Sequence, residues 1–211
     1  EDQPYAVTPR CTCETAAVST LTDATPAERH AIVAARFLEL ADGVRDWSAP
    51  TPVKEWVAQD VVEHLGWLPG MLGGMGVQLD VPALAQDPVA RLRAQSAAVQ
   101  ALLESPEADR VLETSWFGSR PLSWVINNFY TFDVFAHGWD LARSSGQDAE
   151  LDEDYAEQAR AGMAAMGSSL QESGQFGTPQ PVADDAPAGE RLMALMGRDP
   201  NWAAPGASAP G

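Results

Sequence analysis

Asp133, His137 and Asp140 lie in a run of apolar and aromatic residues between positions 121 and 141. At helical spacing the three share one face. A helix this apolar belongs in a core, where an unpaired carboxylate or imidazole is costly. A divalent metal ion would satisfy Asp133 and His137 together, and a third ligand is expected from elsewhere in the chain. Of the three histidines, His64 also sits among apolar neighbours, in residues 61–67, whereas His30 follows Arg29 on a charged helix and is expected to face water. Two histidines and one carboxylate form a common set for Zn, Fe or Ni. Three protein ligands leave positions open to water or a substrate atom, the arrangement of catalytic rather than structural sites. The competing reading gives Asp133 and His137 a simple hydrogen bond and makes His64 an ordinary core or surface histidine.

Other side chains are candidates around that centre. Asp140 is a ligand, an outer partner of His137 or a surface charge; the outer role is favoured. Asp60, four residues before His64, either orients that imidazole or is a first-turn acid favoured by the helix dipole. Tyr130 either hydrogen-bonds a substrate or fills the core. Arg120, Arg143 and Arg191 are the candidates for holding an anionic substrate, each against a surface or structural role. Cys11 and Cys13 form Cys-Thr-Cys, which is no disulfide framework and half of a four-cysteine metal site at most. They are candidate thiols, able to meet the metal if the extension that carries them docks; otherwise they are incidental to a tail.

The 211 residues carry a net charge of −17, from 30 acidic and 13 basic side chains, and Lys54 is the only lysine. That balance lacks the basic footprint of a nucleic-acid binder and opposes docking on an anionic membrane. No stretch approaches the length of a spanning helix, and the first residues lack the pattern of a signal peptide. A cytoplasmic protein acting on a small molecule is expected; its oligomeric state is open, with a homodimer as the candidate. Seven tryptophans fit an aromatic-lined cavity as well as a core.

Five helices and weak strand signal predict an all-α bundle. Residues 1–24 read as a flexible extension, 25–202 as the bundle and 203–211 as a disordered tail. Thr25, Pro26 and Glu28 spell an N-cap, a first-turn proline and a capping box. The apolar stripe of this first helix is read as Ile32, Ala35, Leu38, Leu40 and Val44. A loop with Pro50 and Pro52 follows, then a helix over 57–72 interrupted near Pro69 and Gly70. The glycines at 70–76 lack a phosphate-binding pattern. Further helices are expected over 87–103, 121–144 and 152–170, a short one over 188–196, and a strand or extended link over 111–117.

Three ordered motifs carry a family resemblance: Trp47-x3-Thr51-Pro52-x3-Trp56 with Asp60-x3-His64-Leu65; Asp133-x3-His137-Gly-Trp-Asp-Leu-Ala142 followed by Gly146; and Arg191-Leu-Met-Ala-Leu-Met-Gly-Arg-Asp-Pro200-x-Trp202. Across residues 26–202 the chain resembles the DinB/YfiT-like superfamily, in its actinobacterial mycothiol-dependent maleylpyruvate isomerase-like branch of metal-binding proteins. The resemblance implies a DinB-like four-helix bundle with an additional helix and irregular terminal extensions. It also implies a metal at one end of the bundle, held by residues matching His64, Asp133 and His137. Many relatives have Glu or His where this chain has the shorter Asp133. The resemblance points to a thiol cofactor such as mycothiol and to thiol-assisted transfer or isomerisation. The isomerase reaction itself is not implied, because only a short tail follows the bundle here. A metal-dependent hydrolase and a non-catalytic ligand- or peptide-binding bundle are the alternatives.

Overall fold

The computed structural model describes residues 20–81, 87–115, 117–167 and 172–204. Helix α1 spans Pro26–Asp42 and begins as its sequence dictates. The Thr25 hydroxyl accepts from the Glu28 amide, and the Glu28 carboxylate accepts from the Thr25 amide. Its buried face matches the expected stripe only in part: Val33, Ala34, Phe37, Leu40 and Ala41 are inside, Leu38 and Val44 pack partly on the core, and Ile32 is exposed. His30 is in register with the true stripe and is buried with it.

The second helical segment is broken into α2 (Ala58–His64), a tight turn over Leu65–Trp67, and α3 (Leu68–Gly74). Pro69 explains the break, since its ring cannot sit over the carbonyl of Leu65 in a continuous α-helix. Helix α4 (Pro88–Leu103) is capped by the Asp87 side chain, which accepts from the Val89 amide. It buries Leu92, Gln95, Ser96, Val99 and Leu103, while Ala97 is exposed.

The uncertain segment after α4 is an antiparallel hairpin of β1 (Val111–Thr114) and β2 (Gly118–Pro121), with Val111 opposite Pro121. It leads into α5 (Leu122–Val125), a π-helical segment over Ile126–Thr131, and α6 (Phe132–Ser145). Gly146, at φ 69°, ends α6 in the left-handed conformation that favours glycine.

The bundle is all-α apart from that hairpin, among the described residues. Helix α1 packs on α6 and α4, and α2 packs on the same two from the other side. Their facing side chains form one apolar core, with Phe37, Leu65, Leu68, Leu122, Ile126, Tyr130 and Leu141 fully buried. Helices α7 (Glu153–Ala164) and α8 (Ala188–Leu195) pack on each other. Residues 20–24, read from sequence as the end of a flexible extension, are docked instead. Leu21 and Ala24 are buried, and the buried Arg29 guanidinium donates to the carbonyls of Leu21, Thr22 and Ala24. Among the described residues no helix is long and apolar enough to cross a membrane.

Candidate metal centre

Helices α2 and α6 bring His64, Asp133 and His137 together. One ligand atom of each lies within 4.8 Å of the others. Asp133 and His137 stand one turn apart on α6, and His64 faces them from the last residue of α2. The Nε2 of His64 is 3.2 Å from Asp133 Oδ2, and the Nε2 of His137 is 3.4 Å from Asp133 Oδ1. The cluster opens on one side: the His137 side chain is 6% exposed, those of Asp133 and His64 23% and 36%.

The donor set fits a divalent cation. The other ring nitrogen of His137, Nδ1, is 2.9 Å from Asp140 Oδ2. A carboxylate there takes the Nδ1 proton as a hydrogen bond and leaves Nε2 as a lone pair. That lone pair then faces the Asp133 carboxylate, an arrangement that needs a positive charge between them: a proton or a metal ion. Asp140 is fully buried and is gripped by Arg198, whose Nε and Nη2 lie 3.3 Å and 3.0 Å from its two oxygens. Burial alone would raise the Asp140 pKa; the Arg198 charge and the His137 contact outweigh it and hold the carboxyl below its ordinary range. Asp133 is likewise held low. The hydrogen bond with His64, the charges of both imidazoles and the indole of Trp67 overcome its desolvation.

Two tryptophans complete the walls. Trp67, one turn beyond His64, donates from Nε1 to Asp133 Oδ2 at 2.8 Å. Trp56 stacks on His137, with centroids 5.6 Å apart and planes 18° from parallel, and meets His64 at 5.0 Å. The loop that presents Trp56 is tied back on itself: Thr51 N donates to Trp56 O, Trp56 N to Val53 O, and Ala58 N to Ala49 O. Glu55, just before Trp56, adopts φ 69°, an uncommon conformation for a residue other than glycine. The motif around Trp56 was visible in sequence; the roles of Trp67 and Arg198 were not. The three-residue step from His64 to Trp67 is the one local signal for the former.

The remaining candidates are placed as follows. Asp60 turns away from His64 and accepts from the Val57 amide at 2.8 Å, so it caps its own helix. Tyr130 cannot meet a substrate in this structure. It is fully buried, its hydroxyl accepts from Gln95 Nε2 at 2.8 Å, and burial pushes its pKa far up. Arg143 lies over Trp139 and donates to the Pro200 carbonyl. Arg191 pairs with Glu157. Arg120 is exposed, with its guanidinium 5.1 Å from the Trp124 ring centroid. Cys11 and Cys13 lie outside the described residues. His30, expected to face water, is buried between α1 and its neighbours. Its Nε2 is 3.3 Å from Ser96 O and its Nδ1 3.4 Å from Thr131 Oγ1. Desolvation lowers its pKa to about 4. The correction follows from the phase of α1, which puts position 30 on the same face as Val33 and Phe37.

Residues 28–142 match the family model described as the mycothiol maleylpyruvate isomerase N-terminal domain. The chain belongs to this family. Two uncharacterized proteins of Mycobacterium tuberculosis, from strains H37Rv and CDC 1551, are each 29% identical to it over 152 residues, covering 71% of this chain and 83% of theirs. No solved structure matches. The isomerase N-terminal domain thus takes in α1 through most of α6, with His64, Asp133, His137 and Asp140 inside it. Arg198 lies beyond the matched span.

Proposed function

We propose that the chain is a metal-dependent enzyme of the thiol-assisted type, acting on a small molecule by transfer or isomerisation. The observation that carries this reading is the convergence of two imidazoles and one carboxylate at a partly open end of a helical bundle. His64, Asp133 and His137 would hold the ion, with zinc the best match to the two nitrogens and one oxygen and nickel or iron as alternatives. A divalent ion bound there supplies Lewis acidity, lowering the pKa of a coordinated thiol or water. The chain's own residues do the rest. Asp140 holds the His137 ring, Trp67 anchors Asp133, and Trp56 covers both imidazoles on one side, keeping water from that flank. Exposure at His64 leaves an approach for the substrate and for the thiol.

Family membership supports mycothiol as that thiol. Arg120 is the candidate contact for an anionic partner, because Arg143 and Arg191 are already engaged with Pro200 and Glu157. The strongly acidic chain is suited to a small-molecule partner, not to a nucleic acid or an anionic membrane.

The test is elemental analysis of the purified protein followed by thiol-conjugation assays with the metal-loaded form. One bound divalent ion per chain and conjugation that requires both ion and thiol are expected. A folded protein that takes up no ion on titration overturns the metal reading. Turnover that persists without any thiol replaces transfer with hydrolysis by coordinated water.

A further inference from the structure

Arg198 is 58 residues away from Asp140 in sequence, yet its buried side chain faces that carboxylate with two nitrogens. The third nitrogen, Nη1, donates to the Met196 carbonyl at 3.2 Å. The backbone is shaped to deliver it. Helix α8 ends with Gly197 at φ 90°, where Gly197 N donates to Ala194 O and Arg198 N to Met193 O, closing a Schellman turn. A Cβ on Gly197 would lie 2.5 Å from the Gly177 Cα, so only glycine allows this close passage. A residue later in the turn is held as well, where Arg143 Nη2 donates to the Pro200 carbonyl at 2.9 Å. The segment is therefore tied to α6 at two points, Arg198 on Asp140 and Pro200 on Arg143.

We propose that Arg198 is a positioning residue of the metal centre, acting through Asp140 to fix the ring of His137. The inference rests on the metal reading above. Asp140 has only two oxygens to aim. With both gripped by a planar fork, the plane of the carboxylate is set, and Oδ2 points at His137 Nδ1. The ring is then fixed about its own axis, and Nε2 is directed at Asp133 and His64. The element that sets this geometry lies beyond residues 28–142, the span that matches the isomerase N-terminal domain, so a C-terminal segment completes a centre whose ligands come from α2 and α6.

The test compares zinc affinity in the full chain, stripped of metal and titrated against a chromogenic chelator, together with the electronic spectrum of the cobalt-substituted protein. Arg198→Gln is expected to weaken zinc binding roughly 10–100-fold, the usual effect of losing an outer partner, and to alter the cobalt spectrum. In an Asp140→Asn background the same substitution is expected to add little, because both changes act through one contact. Arg198→Lys keeps the charge without the fork; it guards against a misfolded glutamine variant and is expected to fall between. A lower melting temperature with unchanged affinity and spectrum, in either the glutamine or the lysine variant, overturns the proposal and leaves Arg198 a structural residue. An unmodified protein that binds no zinc overturns the metal reading as well.

Discussion

His30 and His137 are both buried on helices of the same bundle, at 1% and 5% exposure, yet their surroundings differ in kind. His30 is met by a backbone carbonyl and a hydroxyl, both neutral, and stacks loosely on Tyr130. Those partners satisfy a neutral imidazole completely: one nitrogen donates, the other accepts. His137 lies between two carboxylates, with a second imidazole across from it. Neutral partners close a histidine into the core. Two carboxylates, one already paired with Arg198, and a facing imidazole make a donor set that a proton or a metal ion completes. Burial therefore does not distinguish a site from a scaffold here; the charge of the partners does.

The contrast is broken most sharply by metal binding. His137→Ala and Asp133→Ala are each expected to abolish stoichiometric zinc uptake, an effect exceeding the roughly 100-fold of an outer-partner loss. His30→Gln is expected to bind zinc as the unmodified protein does. Calorimetric titration of the three variants decides this, and equal zinc affinity in all of them would erase the distinction.

Stability gives the next effect. Asp140→Ala leaves the Arg198 guanidinium buried without its carboxylate, which costs about 3–5 kcal/mol. Urea unfolding of the metal-free protein measures it. A loss below about 1 kcal/mol would mean that water reaches Arg198 and that the pair is not isolated.

A pH series sharpens the His30 side. The unfolded chain takes up a proton near pH 6.5 and the folded one near 4. The unfolded state therefore binds more protons between those values, and stability falls as pH drops through that window. The full difference is about 3 kcal/mol at 1.36 kcal/mol per pH unit. His30→Gln is expected to flatten the fall between pH 6.5 and 4 in denaturant midpoints; an undiminished slope assigns it to other groups. The depressed carboxyls of Asp133 and Asp140 contribute lower down, losing their stabilisation as pH falls below the ordinary carboxylate range.

Trp67→Phe gives the smallest effect. It removes one charge-assisted hydrogen bond from Asp133 and keeps an aromatic ring, at about 1.5 kcal/mol. It is expected to weaken zinc binding modestly while the fold persists, as circular dichroism and chelator competition can show. Retained affinity would make the indole a packing residue only.

Much of this architecture was legible in local sequence. Thr25, Pro26 and Glu28 start α1 where they stand, Pro69 breaks the second helical segment, and Gly146 ends α6. The one-turn spacing of Asp133 and His137 carried the centre, with His64 chosen by its apolar setting. His30 was misplaced because it was judged by its charged neighbour Arg29, which is itself buried, and not by the inner face of α1. Of the expected stripe, Leu40 is buried and Leu38 and Val44 pack partly on the core, but Ile32 and Ala35 are exposed, and 30, 33, 34, 37 and 41 complete the inner face. Tyr130 shows the limit of reading an aromatic as a substrate contact: the partner that buries its hydroxyl, Gln95, lies on another helix. Arg198 was invisible for a similar reason. No spacing rule says which arginine reaches a given carboxylate once the chain has turned back through two helices and a glycine pair.

The π-helical stretch over Ile126–Thr131 has a consequence at the level of chain length. A helix with wider turns takes up an additional residue without breaking, so what lies beyond it keeps the angular phase it would have in an ordinary α-helix one residue shorter. Asp133 begins just past that stretch, and His137 follows a turn later. Deleting a single residue between 126 and 131 would let an ordinary α-helix run through. Asp133, His137 and Asp140 would keep their order, spacing and phase toward His64 and Arg198, whereas straightening the stretch into an α-helix without a deletion would swing them together by about 100° off that seam. The wider turns over residues 126–131, as much as the ligand side chains, therefore set whether the candidate ligands converge.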